Sequence, residues 1–132
     1  MATGPRPLVL IVEDEPVIRG LLSGALDGAG LDVATVDMAQ YALEAVKSHR
    51  PDVVLLDLGM PRGTMQGMDF LVLLRETEDW KALPVIILSG YGDIVNRDVT
   101  TRLGVRAVLS KPIADFSILI RAIRENLPPS SA

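Results

Sequence analysis

Four short apolar runs, Leu8–Val12, Val53–Leu56, Val85–Leu88 and Ala107–Leu109, constrain this chain more than any other feature. Each has the length of a strand and a β-branched character, and none alternates between apolar and polar residues. Strands that face water on one side alternate, whereas parallel strands covered by helices on both faces read as continuous apolar runs. A weaker fifth run, Asp32–Val36, has a mixed pattern that suits a sheet edge.

The segments between these runs carry helical periodicity. After Pro16, at a first-turn position that tolerates proline, Val17, Ile18, Leu21, Leu22, Ala25 and Leu26 form one stripe, and Gly28 and Gly30 end it. Asp37 is placed to cap a second helix with Tyr41, Ala42, Ala45 and Val46 inward. A third is expected from about Met68 to Trp80, with Leu71 and Leu74 buried. A fourth, Asp93 to Leu103, has a thin face of Ile94, Val95, Val99 and Leu103. Asp115 caps a fifth, whose stripe is Phe116, Leu119, Ile120, Ile123 and Leu127. Five βα units, joined by right-handed crossovers, make an α/β, doubly wound, flavodoxin-like parallel sheet of order 2-1-3-4-5. The expected organisation is a single domain with a core of about 8–127 and loose tails at 1–7 and 128–132.

Composition removes several functions. The formal charge is −4, and the thirteen Lys and Arg are scattered, so a nucleic-acid ligand, which demands clustered cations, is not expected. There is no cysteine, which excludes disulfides, thiolate metal sites and thiol nucleophiles. No run is long enough for a signal peptide or a membrane span. A soluble cytoplasmic domain is expected.

In sheets of this kind, ligands bind beyond the carboxyl ends of the strands. Glu13, Asp14 and Glu15 follow the first run, Asp57 to Pro61 the third, Ser89 and Gly90 the fourth, and Ser110, Lys111 and Pro112 the fifth. Three carboxylates, a hydroxyl and an ammonium therefore meet at one rim. Two carboxylates about 4 Å apart repel by roughly 4 kcal/mol at a moderate effective dielectric. A hard divalent cation such as Mg²⁺, held by oxygen ligands, resolves that repulsion, and Lys111 adds a fixed positive charge. Such a cluster suits phosphoryl acceptance. Asp57 is the expected nucleophile, with Mg²⁺, Lys111 and Ser89 on the equatorial oxygens.

Val12-Glu13-Asp14-Glu15-Pro16, Asp57-Leu58-Gly59-Met60-Pro61, Ser89 and Lys111-Pro112 resemble, in order and spacing, the receiver domains of two-component response regulators. The resemblance covers about Leu8 to Leu127. It implies that Asp57 is the phosphoacceptor, that Asp14 binds Mg²⁺ directly, and that Glu13 binds it largely through water. The backbone carbonyl of Gly59 completes the implied metal ligands. Lys111 contacts the phosphoryl group, its bond to Pro112 is cis, and Ser89 is the switch hydroxyl. Implied partners are a sensor histidine kinase or phosphotransfer protein, and a downstream protein at the face of the fourth helix, fifth strand and fifth helix. That face could also pair two copies of the chain. The domain is a signalling module that assists its own phosphorylation, not an enzyme.

The chain departs from the family pattern in three places. Val108 stands where an aromatic switch residue is usual, although core packing is the plainer reading of that valine. The Met60-Pro61 to Met65-Gln66-Gly67 segment is two residues longer than usual, and its glycines suggest a mobile loop. Gly59 and Tyr91 occupy positions that tune phosphoryl lifetime, and slow decay is expected. The rival to a working receiver is a degenerate one that acts as a phosphorylation-independent interaction module. A flavin-binding domain lacks a phosphate-cradling loop here, and an aspartyl phosphatase lacks an acid two residues beyond Asp57. Trp80 and Tyr41 are expected in the partial core. Arg97, Arg102 and Arg106 suit a partner-facing patch or a solvated face equally.

Overall fold

The computed structural model describes residues 6–61, 63–90 and 95–128. Five strands, β1 (Leu8–Val12), β2 (Asp32–Val36), β3 (Val53–Asp57), β4 (Val85–Ser89) and β5 (Val105–Ser110), form one sheet of order β2-β1-β3-β4-β5. Every pairing is parallel. Five helices accompany them: α1 (Pro16–Gly28), α2 (Ala42–His49), α3 (Gly67–Glu76), α4 (Arg97–Arg102) and α5 (Phe116–Glu125). This is the expected flavodoxin-like doubly wound fold.

Alternate residues of the central strands feed two cores. Leu10, Val12, Val54, Leu56, Val85 and Ile87 pack with α2 and α3 through Val46, Phe70, Leu71 and Leu74. Val9, Ile11, Val53, Leu55, Ile86 and Leu88 pack on the other face with α1 and α5, through Leu22, Leu26, Leu119 and Ile123. The continuous apolar runs are thus explained, because both faces of β1, β3 and β4 exclude water. Both edges behave differently. β2 is mixed, as expected, but β5 also alternates, with Arg106, Val108 and Ser110 exposed. Val108 is 39% exposed and is not a core residue. Only one side of this edge strand is covered at that level.

Several helix boundaries shift for local reasons. Asp37 does not cap α2: a 3-10 turn, Ala39–Tyr41, intervenes, and Tyr41 points outward at 53% exposure. Val17 and Leu21 lie on the solvent side of α1, which leaves Ile18, Leu22, Ala25 and Leu26 to face the sheet. The third helix stops at Glu76, where Thr77 turns extended, and Trp80 ends a separate 3-10 turn, Glu78–Trp80, with its ring buried and stacked under Arg50. The described part of α4 begins after Asn96, whose side chain accepts from Val99 N–H at 3.1 Å. Asp93 and Ile94, read as its start, lie outside the described residues, as does Tyr91. Thr100 is the buried residue of α4, satisfied by its own helix through Arg97 O. Arg97, Arg102 and Arg106 are all exposed.

Asp115 caps α5 by accepting from Ser117 N–H at 2.9 Å. Gly30, at φ +88, takes the chain out of α1 in the left-handed conformation that glycine accepts without penalty. Residues 6 and 7 are not loose. Arg6 reaches Asp27 and Asp32, and Asp32 N–H donates to Pro7 O at 2.8 Å. Among the described residues, no helix is long and apolar enough to cross a membrane.

The packing predicts a sharp contrast between two aromatic residues. Phe70→Ala should cost about 3–5 kcal/mol, whereas Tyr41→Ala should stay within about 0.5 kcal/mol. Urea denaturation of the two variants reads the difference, and a large loss at Tyr41 would contradict its outward placement.

Candidate functional site at the carboxyl rim of the sheet

The strand ends deliver the acids and the lysine to one point. β1 continues its pairing one residue further, with Glu13 N–H bonded to Val36 O at 3.1 Å, so the Glu13 backbone is held like strand. Asp57 is the last residue of β3 and pairs in register with Leu88. Lys111 follows β5, and its N–H donates to Ser89 O at 2.9 Å, which ties the ends of β4 and β5. The Lys111–Pro112 peptide is cis, as the resemblance implies.

Glu13 and Asp57 are fully buried, at 0% and 1% exposure. Between them lies Lys111 Nζ, 3.1 Å from Glu13 Oε1 and 3.0 Å from Asp57 Oδ1. Gly59 N–H also donates to Asp57 Oδ1, at 3.0 Å. Glu13 Oε2 and Asp57 Oδ2 are buried and accept no hydrogen bond. Asp14 is half-buried, and ligand oxygens of Glu13, Asp14 and Asp57 all lie within 4.8 Å of one another. Two buried carboxylates therefore share one ammonium, with a third acid beside them.

Electrostatics follow from that shortage. Burial pushes the Glu13 carboxyl up to about 8, and Asp57 reinforces this, both by accepting from the protonated form and by repelling the charged one. Lys111 offsets only part of the rise. Burial would also raise Asp57, but the Glu13 carboxyl, the Gly59 N–H and Lys111 outweigh it and hold Asp57 below its ordinary value. Burial works against the Lys111 charge as well, yet Asp57 and Glu13 keep that ammonium above its usual value. One proton between the two carboxyl groups is the molecule's own remedy for the crowding.

A hard divalent cation is the alternative remedy. The donor set is all oxygen, two of its buried carboxylate oxygens are uncommitted, and three acids converge from two strand ends; this fits Mg²⁺. A side chain at Gly59 would begin 3.6 Å from Asp57 Oδ1, in ordinary contact with the acid. Ser89 closes β4 one residue beyond the level of Asp57, half-buried and paired in register with Ser110. The structure thus brings together Glu13, Asp14, Asp57 and Lys111, with Gly59 against Asp57 and Ser89 on the adjoining strand. Glu15 is exposed and lies outside the acidic cluster.

Two supporting residues escaped the sequence reading. Arg19 turns back from α1 to donate to Glu13 O at 2.9 Å and Asp14 O at 3.4 Å, fixing the backbone that carries both acids. Its only signal in the sequence is a basic residue on the first turns of the helix. Gln66 binds the carbonyls of the loop after β3. That loop is not loose in its described part. Thr64 Oγ1 donates to Pro61 O at 2.6 Å, and Met60 is buried.

The acidic, metal-fitting rim lies where doubly wound parallel sheets bind their ligands, beyond the carboxyl ends of the strands. The model of the response regulator receiver domain matches residues 9–124, and the chain belongs to that family. It is 38% identical over 104 residues to the KDP operon transcriptional regulatory protein KdpE of Escherichia coli K12, covering 79% of this chain and 44% of that protein. Against KdpE of Mycobacterium tuberculosis H37Rv the identity is 38% over 122 residues, covering 90% and 52%. The chain spans about half the length of these curated relatives. Among solved structures, Vibrio cholerae chemotaxis protein CheY4 superposes with a TM-score of 0.81 at 27% identity, covering 93% of this chain and all of that one. The receiver domain of NtrX from Brucella abortus gives 0.80 at 30%, covering 92% and 99%. Receiver domains are signalling modules that work with histidine kinases.

The shared proton makes a measurable prediction for metal-free protein. Glu13 binds its proton more tightly folded, at about 8, than at its ordinary 4.5. Its contribution to stability is therefore complete below 4.5 and fades as pH rises through about 8. The shifts of Asp57, downward from 3.8, and Lys111, upward from 10.5, act outside that window. In urea denaturation with EDTA, wild type should lose stability across the window relative to Glu13→Gln. Parallel pH curves for the two proteins would contradict the shared proton.

Proposed function

We propose that the chain is a working phosphoacceptor, with Asp57 as the residue that takes the phosphoryl group from a sensor histidine kinase or a phosphotransfer protein. The observation that carries this reading is the state of the Asp57 carboxylate. It is buried, one oxygen is engaged by Lys111 and the Gly59 N–H, and the other has no partner besides the neighbouring Glu13 carboxyl. Lowered proton affinity keeps it ionised at neutral pH, the form that attacks.

In the proposed step, a lone pair on Asp57 Oδ2 forms the new O–P bond as the donor's P–N or P–O bond breaks. The leaving group departs with that electron pair. Lys111 moves its attraction onto the phosphoryl oxygens, where charge develops, and the Gly59 N–H keeps the carboxylate oriented. Glu13, Asp14, Asp57 and the Gly59 carbonyl would hold Mg²⁺. When bound, the ion neutralises the acids and the incoming phosphoryl charge. Ser89, at the end of β4, would donate its hydroxyl to the acyl phosphate and carry the switch.

Val108 is the feature that favours a degenerate receiver, because an exposed valine offers no ring to turn inward. An intact Glu13–Lys111–Asp57 triad weighs more, since a module with no phosphoryl chemistry gains nothing from two buried acids. The proposed output is a shift in a two-state equilibrium at the face of α4, β5 and α5, read by a downstream protein or by a second copy of the chain. Direct contact with nucleic acid is not part of the proposal.

Incubation with acetyl phosphate and Mg²⁺, followed by intact mass measurement, tests the reading. Wild type should gain one phosphoryl group, Asp57→Asn none, and Lys111→Ala should be labelled about 10²-fold more slowly. Unlabelled wild type, or label that persists in Asp57→Asn, would overturn it.

A further inference from the structure

The loop from Leu58 to Gln66 brings Gly59 to the acidic site, where its N–H donates to Asp57 Oδ1 at 3.0 Å, and the loop's described residues converge on one acceptor. Pro61 O receives three bonds: Thr64 N–H at 3.3 Å, Thr64 Oγ1 at 2.6 Å and Gln66 Nε2 at 3.3 Å. Gln66 Nε2 also donates to Thr64 O at 3.1 Å. The backbone of the same glutamine belongs to α3. Its N–H donates to Asp69 Oδ2 at 3.1 Å, and its carbonyl accepts from Asp69 and Phe70.

The next residue, Gly67, locks that helix end against the site. A Cβ there would lie 3.2 Å from Asp57 O and from the side chains of Leu56 and Leu58. The first turn of α3 therefore rests directly on the end of β3. At the near side of the loop, Met60 is buried and its N–H bonds to Leu58 O at 2.9 Å. Gly59 thus sits on an arc pinned at Met60 and Pro61, and Pro61 is tied to α3 through the Gln66 amide.

We propose that Gln66 is a positioning residue for the cation site: its side-chain amide clamps the enlarged loop to α3, so that the Gly59 carbonyl is held ready for Mg²⁺. The inference rests on the phosphoacceptor reading and names a device within it. A longer loop loses more conformational freedom when an ion orders it, and that cost weakens binding. A clamp that orders the loop beforehand removes the cost. Glycine at 59 and 63 raises it, which makes a clamp more valuable here than in a shorter connection.

The experiment compares Mg²⁺ titrations and acetyl phosphate labelling of wild type, Gln66→Met and Thr64→Val. Gln66→Met keeps side-chain length and loses both donated bonds together with the capping-box bond that the Gln66 side chain accepts from the Asp69 backbone; Thr64→Val loses one bond to the same Pro61 carbonyl without touching α3. Gln66→Met should weaken Mg²⁺ binding roughly tenfold and raise the Mg²⁺ concentration for half-maximal labelling equally, with the rate at saturating Mg²⁺ retained. Thr64→Val should shift both in the same direction by less. Unchanged Mg²⁺ affinity in folded Gln66→Met, or in Thr64→Val should Gln66→Met not fold, overturns the clamp. Wild type that neither binds Mg²⁺ nor takes the label instead removes the phosphoacceptor reading, so the two failures are distinguishable.

Discussion

Lys111 Nζ stands 3.1 Å from Glu13 and 3.0 Å from Asp57, and these two acids are the only fully buried carboxylates among the described residues. One ammonium cannot neutralise both, and Asp14 adds a third negative group within ligand distance. Burying unpaired charge is costly, and a proton on Glu13 or a hard cation among the acids relieves that cost. Much of the surrounding structure serves that balance. Arg19 fixes the backbone of Glu13 and Asp14, and the Ser89–Lys111 bond joins β4 to β5.

The sheet makes this concentration of charge possible. β1 and β3 are adjacent, and with β4 they are covered by helices on both faces, which supplies rigid apolar walls behind the acids. Strand ends place Glu13 and Asp57 without depending on loops. Loops carry Asp14, Gly59 and Lys111, and each is secured: the first by Arg19, the second by Met60 and the Pro61–Gln66 contacts, the third by its bond to Ser89. A stiff scaffold with tethered loops suits a site that must change partners and keep its geometry.

Most of the fold was legible because the central strands carry an unusually plain signal. A run such as Val53-Val54-Leu55-Leu56 can scarcely be anything but a strand covered on both faces, and the acids and lysine follow such runs directly. β5 departs in one respect. The run Ala107–Leu109 reads as covered on both faces, yet at the edge, where the expected strand order puts it, one face stays open and Val108 is exposed. Tyr41, Val17 and Leu21 show the limit of counting apolar residues around a helix, since a stripe wider than its contact leaves some of them in water. Arg19 and Gln66 could not be read at all. Their importance lies in which carbonyls they reach, and that depends on the folded path of the chain rather than on residue type.

The central claim is that an acidic rim one cation short holds a proton that a metal ion can replace. Calorimetric titration with Mg²⁺ near neutral pH, repeated in buffers of different ionisation enthalpy, measures ion and proton together. The account predicts one saturable ion per chain, with protons released on binding. Heats that never saturate, or a bound ion that displaces no proton, would contradict it.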